Sequence, residues 1–298
     1  MTLYSHRDSN IRRTWFLLTL FFLLIIGLGW IFAQVYQNSA ILYFAVIFSI
    51  FANFFTYWYS DKIVLGMTRA ESISKENAPE LYNIAENLAI TAGLPMPKVY
   101  LVHERAPNAF ATGRNLKHSV IVVTEGLLGK LDRSELEGVI AHELSHIGNR
   151  DMLLGTVIVV LAGFIAMASN IFLRSLYWGG SRRRNDRGAG IIFLALAVIG
   201  AILAPIAATL IRLAISRRRE FLADTSGALL TRYPEGLASA LEKISVDQTP
   251  MRIASNATAH LFIASPFKGK QSFNWFTKLF LTHPPAEERI KALRGMEV

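Results

Sequence analysis

His142, Glu143, Leu144, Ser145 and His146 spell H-E-x-x-H. On a helix, positions i and i+4 share one face about 6 Å apart, so two imidazoles can grip one ion with Glu143 beside them. The chain contains no Cys. Thiolate-bound zinc, iron–sulfur clusters, disulfides and a thiol nucleophile are therefore excluded together, and a metal has only His nitrogen and carboxylate oxygen to bind. Catalytic zinc sites use three protein ligands. A metzincin extension would require Gly at position 149 and His at position 152, where the chain has Asn149 and Met152, so the third ligand must come from elsewhere. Downstream, R-R-R-E-F-L-A-D places Glu220 and Asp224 one helical turn apart on one face. Glu220 is expected to complete the metal set. Asp224 is expected to accept the outer N–H of a ligating His and so fix its tautomer. The alternative for this pair is a solvated acidic face.

These residues need helices to carry them. Asp132 with Glu135 three places on resembles a capping box and starts a helix near Arg133, with Leu136, Ile140, Leu144 and Ile147 along one face. Residues 78–92 carry helical periodicity in Leu81, Ile84, Leu88 and Ile90, broken at Gly93, Leu94 and Pro95. Residues 98–103 and 119–124 read as short strands, and residues 217–230, 234–246 and 285–294 as further helices. The expected fold is mainly α with a small β-sheet. Between the strands, Pro107 to Gly113 is a run of small residues. As an edge strand it could hold a peptide through the backbone at Asn108, Ala109 and Phe110; an ordinary loop strand is the other reading. His103, His118 and His260 have no partner at ligand spacing and are expected to be structural or solvated.

The rest of the chain is unusually apolar. Hydrophobic residues make up 52% of the 298, and no Asp, Glu, Lys, Arg or His lies between Thr14 and Ser60. Residues 14–35 would rise roughly 33 Å as a helix and residues 40–58 roughly 28 Å, against a hydrocarbon core of about 30 Å. This predicts a transmembrane hairpin spanning 14–59, uncleaved, preceded by a tail of residues 1–13. Arg12 and Arg13 before it and Lys62 and Arg69 after it place both ends in the cytoplasm. A second apolar hairpin, with arms 152–173 and 190–211 inside residues 152–215, separates two water-soluble halves, 60–151 and 216–298. Its loop carries Arg174, Arg182, Arg183, Arg184 and Arg187, which resist translocation, so a spanning, an interfacial and a buried hairpin all stay open. His146 and Glu220 bracket this hairpin, and ligands of one ion must share a side. The hairpin therefore crosses twice or not at all. The formal net charge is +9, yet only 18% of residues are charged, and the arginines cluster beside apolar runs. That pattern excludes nucleic acid as the favoured partner and points to lipid headgroups, with Arg217, Arg218 and Arg219 held against them.

H-E-L-S-H running into an apolar hairpin, then R-R-R-E-F-L-A-D, then T-H-P-P-A-E-E-R-I resembles the HtpX-type membrane zinc endopeptidases, heat-shock proteases related to the CAAX prenyl protease. The resemblance extends to P-N-A-F-A-T-G and to A-H-L-F-I at residues 259–263. It implies one Zn2+ per chain on His142, His146 and Glu220, with Glu143 as the catalytic acid and base. It also implies a gluzincin-like protease domain facing the cytoplasm of a bacterial inner membrane, acting in quality control of membrane proteins. The family's H-P motif falls at His283, a candidate oxyanion donor, or else a turn residue before two prolines. Arg289 could support His283, although an Arg in the last helix is expected to pair with Glu288 or solvent. Two rivals remain: an intramembrane site-2-type protease, against which the charges at Asp132, Arg133, Glu135, Glu137, Arg150 and Asp151 argue, and a non-catalytic four-span protein.

Overall fold

The protein, seen in a computed structural model, is described for residues 3–35, 37–164, 217–255, 258–267 and 284–297. Helices α1 (Leu3–Val35) and α2 (Ala40–Met67) form the N-terminal pair. Both are long and apolar enough to cross a membrane. Their large apolar side chains, among them Trp15, Phe16, Trp30, Phe44 and Phe51, point outward. In water that arrangement would be costly, and it is the expected one where lipid is the solvent. The second helix continues well past residue 58. It delivers Val64 and Leu65 into a cluster with Phe110, Val122 and Phe262, so that α2 is both membrane element and strut.

Beyond it lie α3 (Pro79–Thr91), a one-turn helix α4 (Glu125–Leu128), α5 (Arg133–Gly148) and α6 (Asp151–Phe164). After residue 216 come α7 (Arg217–Thr231), α8 (Pro234–Val246) and α9 (Ala286–Arg294). Strands β1 (Glu71–Ser72), β2 (Lys98–Val102), β3 (Ala109–Gly113) and β4 (Ser119–Thr124) form one mixed sheet in the order β1-β2-β4-β3. Strands β2 and β4 are parallel, with Val99 opposite Ile121; β3 runs antiparallel to β4, with Ala111 opposite Ile121. The fold class read from the sequence, mainly helical with a small sheet, is the one observed.

Helix α5 lies at the centre of the main hydrophobic core. Both arms of its capping box form: Glu135 N–H donates to Asp132 at 3.0 Å and Asp132 N–H to Glu135 at 2.9 Å. The expected stripe of Leu136, Ile140, Leu144 and Ile147 is buried, but so are Val139, Ala141, His142 and Glu143. The helix is enclosed on nearly all sides by α3, β3, α7 and α8, which explains why its pattern is less amphipathic than that of a surface helix. On α3 the buried face is Leu81, Ile84, Ala85, Leu88 and Ala89, whereas Ile90 is 72% exposed, contrary to the periodicity read from the sequence. The small Ala85 and Ala89 lie on the i, i+4 rows that face α5, so position on the helix outweighs hydrophobicity.

Of the second apolar hairpin, α6 is described. It packs Leu154, Val157, Ile158 and Leu161 against Leu17, Leu18 and Phe21 of α1 and Ala52 of α2. The remainder of both arms and the arginine-rich loop lie outside the described residues.

Close helix packing around α5 depends on Gly138, where a Cβ would stand 2.6 Å from the backbone nitrogen of Leu237 on α8. Gly138→Val should therefore destabilise the protein by about 1–3 kcal/mol, the usual cost of overpacking. Thermal unfolding in detergent would register this as a lowered midpoint, while Gly27→Ala, at a glycine where an added Cβ would meet no heavy atom within 4 Å, should leave the midpoint near wild type.

Candidate metal centre

On α5, His142 and His146 present their rings edge-to-face with centroids 4.7 Å apart. Their Nε2 atoms are 3.1 Å from each other. Glu220, from the first turn of α7, reaches in with Oε1 3.7 Å from His146 Nε2 and Oε2 3.9 Å from His142 Nε2. Ligand atoms about 2.0–2.1 Å from a tetrahedral ion stand about 3.3 Å apart. The three donors are thus close to ligation geometry, and their ligand atoms all lie within 4.8 Å of one another. Two imidazoles and one carboxylate fit a borderline divalent cation such as zinc better than calcium or magnesium, which take oxygen sets.

Approach of α7 to α5 is permitted by Gly227, where a Cβ would meet the backbone nitrogen of His142 at 3.0 Å. Glu220, Asp224 and Gly227 lie on one face of α7, so the contact that lets the helices touch also aims the carboxylates. Asp224 Oδ1 lies 2.9 Å from His142 Nδ1.

The other imidazole has a matching partner that the sequence pattern does not announce. His146 Nδ1 is 3.1 Å from Asp151 Oδ2. Between them the chain breaks at Arg150, in the left-handed region with φ 57°, and α6 leaves α5 at 83°. This bend turns Asp151 back onto His146. A five-residue spacing gives no signal for such a contact if the helix is taken to continue.

Arg289 is the second departure. It is not paired with Glu288 or solvent: at 1% exposure it grips Asp224 with Nε at 2.8 Å and Nη2 at 2.6 Å, and donates to the Ile263 carbonyl at 2.9 Å. The bidentate fork compensates a carboxylate that could not otherwise stay charged in this interior. Burial would raise the Asp224 pKa, but Arg289 and His142 outweigh it and hold it at about 2.

Burial also acts on the neighbouring groups. It pushes His142 down to about 4, leaving a neutral ring able to ligate, and pushes Glu143 up to about 7. For His146 burial is overcome by Asp151 and Glu220, which raise it to about 9. Carboxylates that hold a proton there also favour a cation. Glu143 is 2% exposed, and the nearby backbone N–H of Ala111 on β3 pulls its pKa down somewhat against the effect of burial.

A cavity of about 50 Å³ opens over these groups, bordered by Ala111, Glu143, Gly155, Arg219, His260 and Ile263. His260, read from the sequence as structural or solvated, is 8% exposed and has Nε2 3.3 Å from the Gly155 carbonyl. Strand β3 is a sheet edge, as the small-residue run suggested. Asn108, however, turns inward to the Ala264 carbonyl at 3.0 Å, Phe110 packs edge-on to Phe262, and the Ala109 carbonyl accepts from Ile263 N–H at 2.9 Å. Ala111 is the residue of this strand that borders the cavity. His283 lies outside the described residues. Of the basic cluster, Arg217 and Arg218 are exposed, but Arg219 is buried with Nε 3.7 Å from Asp151, so only two of the three can face lipid.

A histidine pair on one helix, a glutamate from a second and a buried glutamate beside them on a membrane-anchored scaffold define a membrane metalloprotease. The chain belongs to peptidase family M48, whose sequence model matches residues 75–297. Proteins named Protease HtpX homolog are similar along its whole length. The one from Caldanaerobacter subterraneus subsp. tengcongensis is 48% identical, covering 100% of this chain and 99% of its own. That from Pyrococcus furiosus is 50% identical over 91% of this chain and 90% of its own. Among solved structures, S. mikatae Ste24p shares the fold with a TM-score of 0.51 at 18% identity, matching 94% of this chain and 66% of that one.

If Asp224 orients His142, Asp224→Asn should keep the fold but lower metal affinity about 10–100-fold. Competition with a chromophoric chelator measures this directly, and an unchanged dissociation constant would remove the assignment.

Proposed function

We propose that this membrane metalloprotease is a zinc-dependent endopeptidase that cuts misfolded or damaged membrane proteins on the cytosolic side of a bacterial inner membrane. The observation that carries the reading is the convergence of His142, His146 and Glu220 around one point with Glu143 buried beside it. Zinc in that position would supply Lewis acidity, polarising a scissile carbonyl and acidifying water near neutral pH. Glu143 takes a proton from the attacking water and returns it to the leaving amine. A carboxyl poised near neutrality by burial can do both. The nearby Ala111 N–H favours its charged form. Asp224 and Asp151 orient the two imidazoles, and Arg289 keeps Asp224 charged. His283 is the proposed oxyanion donor on the strength of the T-H-P-P motif alone.

Substrate is proposed to lie along β3 as an added strand, with Ala111 rather than the side chains of Asn108 or Phe110 nearest the reacting bond. Main-chain pairing reads sequence loosely, which suits varied unfolded substrates. The cytosolic orientation is supported by Arg12, Arg13, Lys62 and Arg69 flanking the hairpin.

Two experiments test this. Glu143→Gln should retain one zinc per chain while losing casein cleavage; cleavage at the wild-type rate would sink the mechanism. In the second, a cleavage site is moved stepwise away from the transmembrane helix of a model substrate. Cutting should decline beyond about 30 residues, since the effective concentration of a tethered segment falls with its length. Equal cutting at all spacings removes the proximity argument, and cutting only on the opposite side inverts the topology.

A further inference from the structure

The sequence distance between the N-terminal anchor and the metal ligands conceals a direct contact. Asn10, on α1 just before the apolar run, is 3% exposed. Its amide Nδ2 donates to Asp151 Oδ1 at 2.5 Å and lies 3.4 Å from the Asn149 carbonyl. Its Oδ1 accepts from Arg219 Nη1 at 3.4 Å. Asp151 uses its other oxygen, Oδ2, on His146 Nδ1. Arg219 in turn precedes Glu220, the third donor of the cluster, and has its own Nε 3.7 Å from Asp151 Oδ1. One buried amide therefore touches the carboxylate behind one metal-binding histidine and the residue next to the metal-binding glutamate.

The chemistry of the contact is directional. A carboxylate five residues beyond His146, on the far side of a helix break, has no intrinsic reason to face back toward the imidazole. Donation from Asn10 occupies Oδ1 and leaves Oδ2 aimed at the ring. Packing of Leu17, Leu18 and Phe21 against α6 fixes α1 in register, so the amide arrives at a defined height. Within α1 the Thr14 hydroxyl donates to the Asn10 backbone carbonyl at 2.9 Å, while the Asn10 side chain bonds to Asp151, Arg219 and the Asn149 carbonyl.

We propose that Asn10 is a positioning residue for the metal centre: it holds Asp151 against His146 and so couples metal affinity to the seating of the membrane anchor on the catalytic unit. This rests on the reading of His142, His146 and Glu220 as the metal ligands. Outer partners of ligating histidines tune affinity by about 10–100-fold, and a residue acting through such a partner should move it by a fraction of that range.

The test uses full-length protein in detergent with Glu143→Gln present throughout to prevent self-cleavage, and zinc as the probe. Zinc dissociation constants come from chelator competition, and melting is followed with and without zinc. Asp151→Ala should weaken binding about 10–100-fold and Asn10→Ala about 3–30-fold. The double variant should bind within twofold of Asp151→Ala, because Asn10 acts through Asp151. Asn10→Leu, which keeps the branched shape of Asn but is larger and lacks its polar atoms, replaces Asn10→Ala if that variant does not fold. A merely structural role lowers the metal-free melting point and leaves the dissociation constant within twofold of wild type, which overturns the proposal. Multiplying effects in the double variant overturn it as well, since the two residues would then act independently. Should His146→Ala bind zinc as tightly as the parent, the ligand reading itself has failed and the proposal falls with it.

Discussion

Everything at the centre of this molecule depends on how closely α7 can approach α5. The ligand sets on the two helices are separated by more than seventy residues of chain, yet their donor atoms stand within 4.8 Å. Only a helix that presents bare backbone at the crossing can come so near. Gly227 supplies it, directly against His142. Because Gly227, Asp224 and Glu220 follow each other along one face, closing the contact automatically brings a carboxylate to Nδ1 of His142 and another to Nε2 of both rings. The geometry of the metal centre is therefore a by-product of helix packing, and packing is the part of the structure least able to drift.

That solution puts charge where water does not reach, and the fold compensates it in an ordered way. Asp224 is covered by Arg289, Asp151 by Asn10 and Arg219, and Glu143 by one backbone N–H and a raised pKa. The differences matter. A carboxylate forked by a guanidinium stays ionised and can hold an imidazole; a carboxyl given a single neutral donor in the same interior stays near its titration point. The two proposed roles, orienting for Asp224 and proton-transferring for Glu143, would thus arise from one functional group, the carboxyl, through the number and charge of its neighbours.

Much of this was legible in the sequence, for identifiable reasons. The H-E-x-x-H pair and E-x-x-x-D pair are local patterns on single helices, and the i, i+4 rule projects them onto a face without knowing anything else. The capping box and the two membrane-length helices are equally local. What escaped was non-local or broke a periodicity. Asp151 reaches His146 only because Arg150 leaves helical φ and the chain bends by 83°. Arg289 looked like a surface residue since nothing nearby in sequence hints that Asp224 waits across the core. Asn10 stands 141 residues from its partner Asp151. Ile90 misled in the opposite sense, being apolar yet off the face that the alanines occupy.

The membrane elements also read differently once packing is considered. An anchor could be a passive tether joined to a self-sufficient enzyme by a linker. Here α2 runs without interruption from the apolar pair into the core around Phe110 and Phe262, and α6, which starts at a metal-site carboxylate, lies against α1. The lever arms are short and helical, so displacement of the anchor would be transmitted as strain at Asp151 and at the end of β3 rather than absorbed by a loop. Under the proposed function, a protease built this way would hold its cleft at a fixed height relative to the bilayer. Access would then depend on where a polypeptide leaves the membrane, a selection by position that needs no side-chain specificity at the scissile bond and agrees with the proposed pairing of substrate along β3.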